Sequence, residues 1–287
     1  MKRMQLLVCL CVAVSLKLAA DPRYHEDFHY SYPQTPGGHF SLDSFNGAVE
    51  VTGWDQTTVD ISGTKYADTE ERLHAIRIDV SNAGNAVEVR TVRPETDRHG
   101  NMGAKYIVRV PRQTEIDHIR SSNGSLRLEK IDGNATLHTS NGTVHVVEVR
   151  GNVEATSSNG SVHAEDVRGA LRASTSNGGI VAHLHGGQGN DPIQVSTSNG
   201  SVDLELDTPR SNDLVVSTSN GAITVRLPAG TNGAVSAHTS GHDRIQSDFD
   251  ITMHGLLARS RLEGNIGSGG PRIDLRTSNG NIRLLKL

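Results

Sequence analysis

The chain has 287 residues, with 28 Lys and Arg against 32 Asp and Glu and only 3% aromatic side chains. That composition excludes a core built from large rings and points to an elongated core of thin Val, Leu, Ile and Ala layers. It also speaks against a nucleic-acid partner, because phosphate binding rests on clustered Lys and Arg, and here the charges alternate singly.

Residues 1–20 read as a secretory signal: Lys2 and Arg3 open it, Leu6 to Leu16 is apolar, and Leu18-Ala19-Ala20 offers a small-residue cleavage site. The apolar stretch falls well short of the roughly 20 residues of a spanning helix, and no later segment is apolar enough to cross a membrane. Both cysteines, Cys9 and Cys11, lie inside this signal, so the exported part is expected to hold no disulfide and no thiolate-bound metal. Val8 and Leu10 stand before them, where a lipid-anchor signal needs a small residue. Removing Lys2, Arg3 and Lys17 leaves 25 basic against 32 acidic side chains, a net charge of −7.

Residues 21–112 read as an N-terminal β-rich cap or a set of divergent rungs. Strands are expected at Ala48–Thr52, Thr58–Gly63, Ile76–Ser81, Ala86–Val92 and Tyr106–Val110. A short helix is expected to start at Asp68, with Thr69, Glu70 and Glu71 in its first turn. Pro94–Gly103 reads as a polar loop.

Residues 113–287 form the repeat domain. Ser-Asn-Gly recurs as Asn123-Gly124, Asn141-Gly142, Asn159-Gly160, Asn177-Gly178, Asn199-Gly200, Asn220-Gly221 and Asn279-Gly280, at intervals of 18, 18, 18, 22, 21 and 59. The long gap contains a degenerate copy, Thr239-Ser240-Gly241, about one period after Gly221, and Phe45-Asn46-Gly47 is an earlier cousin. Ser247–Arg272 departs from the repeat and reads as one irregular rung plus a Gly264–Gly270 loop.

Aligned on the glycines, the buried positions emerge. Leu126, Val144, Val162, Ile180, Val202, Ile223 and Ile282 fall two residues after the glycine, and Leu128, Val146, Ala164, Ala182, Leu204, Val225 and Leu284 four after. Ile119, Leu137, Ala155, Ala173, Val195, Val216 and Leu275 fall five before it. Polar residues alternate with these, Val181 excepted, the period-2 signature of half-buried strands. Each unit is therefore strand, Asn-Gly turn, strand and a second turn, as at Asp132-Gly133, Arg150-Gly151 and Arg168-Gly169. Positive φ is the expected reason for glycine in both turns.

An antiparallel meander of Asn-Gly hairpins also fits such units. A hairpin, however, makes no demand on the residues around its turn, whereas Ser122, Ser140, Ser158, Ser176, Ser198, Ser219 and Ser278 repeat too, as do Thr139, Thr175, Thr197, Thr218 and Thr277. Identical side chains at a fixed period are what stacked rungs reward. The fold expected is all-β, a parallel-helix-like β-solenoid with two strands per rung of about 18–22 residues and the N-terminal β-rich cap.

The sequence resembles a bacterial family, the exported β-strand-repeat, adhesin-like proteins of unknown function. Phe45-Asn46-Gly47-Ala48-Val49-Glu50-Val51, the Val59-Asp60-Ile61-Ser62-Gly63 strand after Trp54, Val110-Pro111 before the repeats and the Ser-Asn-Gly series carry the resemblance. It implies a β-helical fold, an envelope or extracellular location and no known catalytic residue.

The motifs with chemical potential read more simply as structure. His145 and His163 stand one period apart and would stack on adjacent rungs, with Glu165 as a conceivable third metal ligand; exposed strand residues are the simpler account. Gly186-Gly187-Gln188-Gly189-Asn190-Asp191 matches the start of a calcium-binding nonapeptide, yet it occurs once and accounts for the longer 22-residue interval as a loop insertion. Glycan hydrolysis needs carboxylates converging in a cleft, whereas Glu129, Glu148, Asp166 and Glu205 are spread one per rung. The serines sit in turns rather than in a Gly-x-Ser-x-Gly elbow, and the Asn-Gly-Ser and Asn-Gly-Thr triplets read as turn chemistry rather than glycosylation acceptors.

The expectation is an exported, non-catalytic envelope or surface binding or scaffold protein, in the periplasm, on the cell surface or secreted. It would use no cofactor and engage an envelope, protein or glycan ligand. A polysaccharide-acting β-helix enzyme, lyase or hydrolase, is the alternative.

Overall fold

The computed structural model describes residues 23–94, 100–185, 191–208, 211–240, 244–253 and 260–287. The signal reading over 1–20, with Cys9 and Cys11, lies outside them, as do residues 186–190 of the calcium-like stretch and Gly241 of the degenerate copy. Among the described residues the chain is a solenoid of two facing sheets. Strands that lead into each Asn-Gly turn build the upstream sheet, and strands that leave it build the downstream sheet.

Between Thr114 and Leu227 the stacking follows chain order. The upstream strands Thr114–Asn123, Ala135–Asn141, Val153–Ser157, Leu171–Asn177, Ile193–Asn199 and Leu214–Asn220 pair in parallel, each with the next. Their downstream counterparts, Leu126–Ile131, Val144–Val149, Val162–Val167, Ile180–Leu184, Val202–Leu206 and Ile223–Leu227, do the same. The pairing is in register, so Val144 lies between Leu126 and Val162, and His145 between Arg127 and His163. Every aligned apolar position named above is at most 3% exposed, and one continuous core runs from Phe40 to Leu284.

Both ends break chain order. Gly38–Asn46 and Val49–Trp54 make a regular rung that stacks directly on Thr114–Asn123 and Leu126–Ile131. Ala86–Val92 and Met102–Pro111 make the next layer outward. Antiparallel strands close that end: Arg77–Ala83 beside Ala86–Val92 in one sheet, and in the other Thr58–Ala67 beside Met102–Pro111 with Tyr24–Pro33 beyond it at the edge. At the other end the degenerate copy does not stack on the Gly221 rung. Arg272–Asn279 and Ile282–Lys286 occupy that layer, and Gly233–Thr239 with Ile245–Ser247 lie beyond them.

Several local expectations are corrected. Tyr24–Pro33 and Gly38–Asn46 are strands that the sequence reading did not anticipate. Met102 and Gly103 belong to a strand rather than the polar loop. Gly264 to Ile266 end the strand Arg261–Ile266, which pairs antiparallel with Gly233–Thr239 and so covers the last upstream strand. The helix is Glu70–Ala75; Thr69 caps it by accepting from the Arg72 amide, and Leu73 is buried with Ala67, Ile76 and Met102.

The turn glycines are required for a reason other than the expected one. Only Gly280, at φ 151°, and the early Gly47, at φ 115°, lie in the left-handed region; Gly124, Gly142, Gly160, Gly178, Gly200 and Gly221 do not. A Cβ on any of those six would sit 1.9–2.2 Å from the carbonyl oxygen of the equivalent glycine one rung away. Gly151 and Gly169 in the second turn repeat the pattern, at 2.3 and 2.1 Å from the carbonyls of Gly133 and Gly151. Close approach of stacked backbones excludes side chains there. Positive φ belongs instead to Lys130, Glu148 and Asp166, at 58°, 55° and 52°. Each is followed by a buried residue, Ile131, Val149 or Val167, which the left-handed step turns into the core.

Two predictions follow from this stacking. Gly160→Ala and Gly160→Asn should destabilise about equally, by about 3 kcal/mol, and Gly230→Ala, with nothing within 4 Å of the new Cβ, should not. Asn tolerates left-handed backbone, so selective rescue by Asn in denaturant melts would restore the positive-φ account. Asn159→Ala removes two side-chain hydrogen bonds, to Asn141 and from Asn177, and should cost about 1–2 kcal/mol. Ser161→Ala should stay within about 0.5 kcal/mol of the parent.

Candidate functional site

The turn edge is the most regular feature of the molecule. Asn123 donates from Nδ2 to Asn46 Oδ1 at 2.6 Å, and the pattern continues through Asn141, Asn159, Asn177, Asn199, Asn220 and Asn279 at 2.7–3.0 Å. Asn46 closes the row by donating to the Met102 carbonyl at 2.8 Å. Each glycine carbonyl in the row receives a second set of bonds from inside. Thr139, Ser157, Thr175, Thr197, Thr218 and Thr277 donate their hydroxyls to Gly124, Gly142, Gly160, Gly178, Gly200 and Gly221 at 2.8–3.0 Å. The repeated Thr thus points inward and satisfies a carbonyl, while the repeated Ser of the same turns faces outward. An asparagine inside the row uses one amide hydrogen and one lone pair, which leaves the others at solvent.

The downstream face carries the pair of histidines singled out from the sequence. His145 and His163 stack with ring centroids 5.0 Å apart and planes 10° from parallel. They line a shallow groove of about 220 Å³ with Arg127, Glu165, Val181 and His183. Burial, together with the neighbouring His163 and Arg127, lowers the pKa of His145, so the stack favours the neutral ring. Glu165 lies in the adjacent row, opposite His183. Among the described residues no group of three His, Cys, Asp or Glu is placed to hold a metal ion.

The upstream face carries a cleft of about 430 Å³. Four carboxylates line it: Glu115, Asp117, Glu154 and Asp191, with Arg172 among them. Sequence reasoning missed this group, because its members come from three rungs and from the end of the insertion that lengthens one interval. Three of the four are engaged. Glu115 accepts from the Asn134 amide at 2.9 Å, Asp191 from Asn152 Nδ2 at 3.0 Å, and Asp117 pairs with His39 at 2.8 Å. The Asp117 hydrogen bond raises the pKa of His39. Glu154 stands opposite Arg172 in the parallel register.

The acidic residues singled out from the sequence are dispersed. Glu129 pairs with Arg127. Asp166 pairs with Arg168 at 3.2 Å and with His185 at 3.4 Å, and His185 also meets Asp207. Glu148 joins a charged column on the second-turn edge with Arg112, Asp132, Arg150, Asp166 and Arg168. Glu205 lies between His183 and Arg226 on the downstream face. These contacts alternate in sign along the stack, as a solvated structural surface requires.

No curated protein matches this chain in sequence. A solved structure from Parabacteroides distasonis, described as a "putative lipid binding protein", is 12% identical, covers 94% of this chain and 100% of its own, and superposes with a TM-score of 0.50. Another from Clostridium sporogenes, described as a "putative cell adhesion protein", is 10% identical and covers 91% of this chain and 100% of its own, with a TM-score of 0.31. A "putative adhesin" from Parabacteroides merdae is 9% identical, with 91% and 96% coverage and a TM-score of 0.34. The first supports the fold alone. The Toastrack DUF4097 family model matches residues 42–285, from the first regular rung to the last, and the chain belongs to that family.

Proposed function

We propose that this chain is an exported, non-catalytic binding module of the bacterial cell surface, which presents rigid sheet faces to a protein or glycan ligand. The observation that carries this reading is the unbroken asparagine row from Asn46 to Asn279, which holds eight rungs in register. A surface fixed in that way loses little conformational entropy on binding. The basic start and apolar stretch of residues 1–20 support export, and the adhesin descriptions of the structural relatives agree with it. A lipid ligand, as the Parabacteroides distasonis description names, would meet polar faces here, since the space between the sheets is filled by stacked Val, Leu, Ile and Ala.

A second reading rests on the carboxylate-lined cleft of the upstream face, which has the elements of a glycan-cleaving site. Three of its four carboxylates are held by structural partners, so a free acid and base pair is not left over.

Protease treatment of intact cells is expected to digest this chain while a periplasmic control survives. Protection that ends only on lysis would replace the surface module with a periplasmic scaffold. Polysaccharide cleavage by the purified chain, abolished by Glu154→Gln, would favour the enzymatic reading instead.

A further inference from the structure

The aromatic residues are concentrated at one end. Of the ten in the chain, nine lie between Tyr24 and Tyr106; the other, Phe249, is 6% exposed. A ligand that stacks on a phenyl, phenol or indole ring must therefore be met at the N-terminal end of the solenoid. There the outer face of the antiparallel strands holds a cleft of about 330 Å³, lined by His25, Thr64, Tyr66, Asn101 and Lys105.

Strand register assembles it. His25 lies opposite Tyr66, and Tyr66 opposite Gly103; in the next row Asp27 lies opposite Thr64, and Thr64 opposite Lys105. Gly103 leaves room for the phenol: a Cβ there would come within 2.7 Å of the Tyr66 hydroxyl. Tyr66 is thus laid across the sheet and held half-buried, an aromatic covering a strand glycine.

Among the described residues that line it none is a carboxylate, and Lys105 carries a fixed positive charge; His25 and Tyr66 can both donate and accept. Asp27, beside the cleft in register, is engaged by the Thr64 hydroxyl at 2.6 Å. Lys65, on the other face of the same strand, is neutralised by Glu26 at 2.8 Å. Lys105 is exposed and has no ion-pair partner among the described residues. In a chain of formal net charge −4, a cleft that holds an ammonium with no ion-pair partner among the described residues selects for an anion. Its volume exceeds that of inorganic phosphate and suits a sugar ring carrying a charged group, with the phenol as a stacking surface.

We infer that this cleft binds an anionic sugar, a uronate or a sugar phosphate, with Lys105 meeting the charge and Tyr66 the ring. This deepens the surface-binding reading and rests on it. Titration of the purified chain with tetragalacturonate and with glucose 6-phosphate is expected to show binding to at least one. Lys105→Glu should weaken that binding more than tenfold with an unchanged melting temperature, and His25→Ala should weaken it several-fold. Uncharged maltotetraose and phosphatidylglycerol vesicles should not bind. The assignment is overturned by no binding of either anion, by equal binding by Lys105→Glu, or by equal binding of maltotetraose. Capture by vesicles alone would overturn it in favour of a lipid headgroup. Cell-surface digestion is measured separately, so loss of the sugar site and loss of the surface location are distinguishable outcomes.

Discussion

Everything in this molecule depends on how closely one Asn-Gly turn can lie on the next. Parallel strands stack at about 4.8 Å, and at the turn that spacing brings the glycine of one rung against the carbonyl of its neighbour. A methyl group at Gly160 would stand 2.0 Å from the Gly142 oxygen. Glycine is thus the condition for continuous stacking, and the neighbouring Asn and Thr complete it. Asn joins rungs on the outside, and Thr supplies the carbonyl with a buried donor on the inside. A buried carbonyl without a partner would cost about 1–3 kcal/mol, and the row holds one in nearly every layer.

From that constraint the rest follows in order. In-register stacking places like residues over like, so Val, Leu, Ile and Ala form columns that fill the space between two sheets without large rings. It also sets His145 on His163 and makes the outer faces flat and periodic. Where the repeat gives way at the N-terminal end, the character of the surface changes. The sheet turns antiparallel, the aromatics appear, and Tyr66 lies over Gly103 instead of an amide row. Rigidity and recognition are divided between two parts of one continuous core.

How much of this is legible in the sequence depends on the range over which each interaction acts. Period-2 alternation and the recurring Ser-Asn-Gly are local, and they reveal the buried columns residue by residue. The order of layers is not local. Nothing in Thr239-Ser240-Gly241 says that the later Arg272–Asn279 comes between it and the Gly221 rung, because parallel rungs with the same turn chemistry accept any neighbour of the same shape. Phe45-Asn46-Gly47 likewise stacks on Ser122-Asn123-Gly124 across 77 residues of chain. The glycine motif was visible, but its cause was not: positive φ is a property of one residue, whereas the contact that excludes a side chain belongs to two rungs. The carboxylate cleft escaped for the same reason, since Glu115, Glu154 and Asp191 meet only through stacking.

Arg272–Lys286 lies between two layers built from earlier parts of the chain. In an ordinary solenoid each new unit adds to a finished end, and losing the last unit shortens the rod by one layer. Here residues that follow Gly233–Thr239 in the chain fill a layer inside the rod. Until they arrive, Leu214–Asn220 and Gly233–Thr239 have no strand between them, and both present unpaired edges of the kind that invites pairing with another chain. Arg272–Asn279 acts as a bolt: it locks Gly233–Thr239 and its antiparallel partner Arg261–Ile266 to the rest.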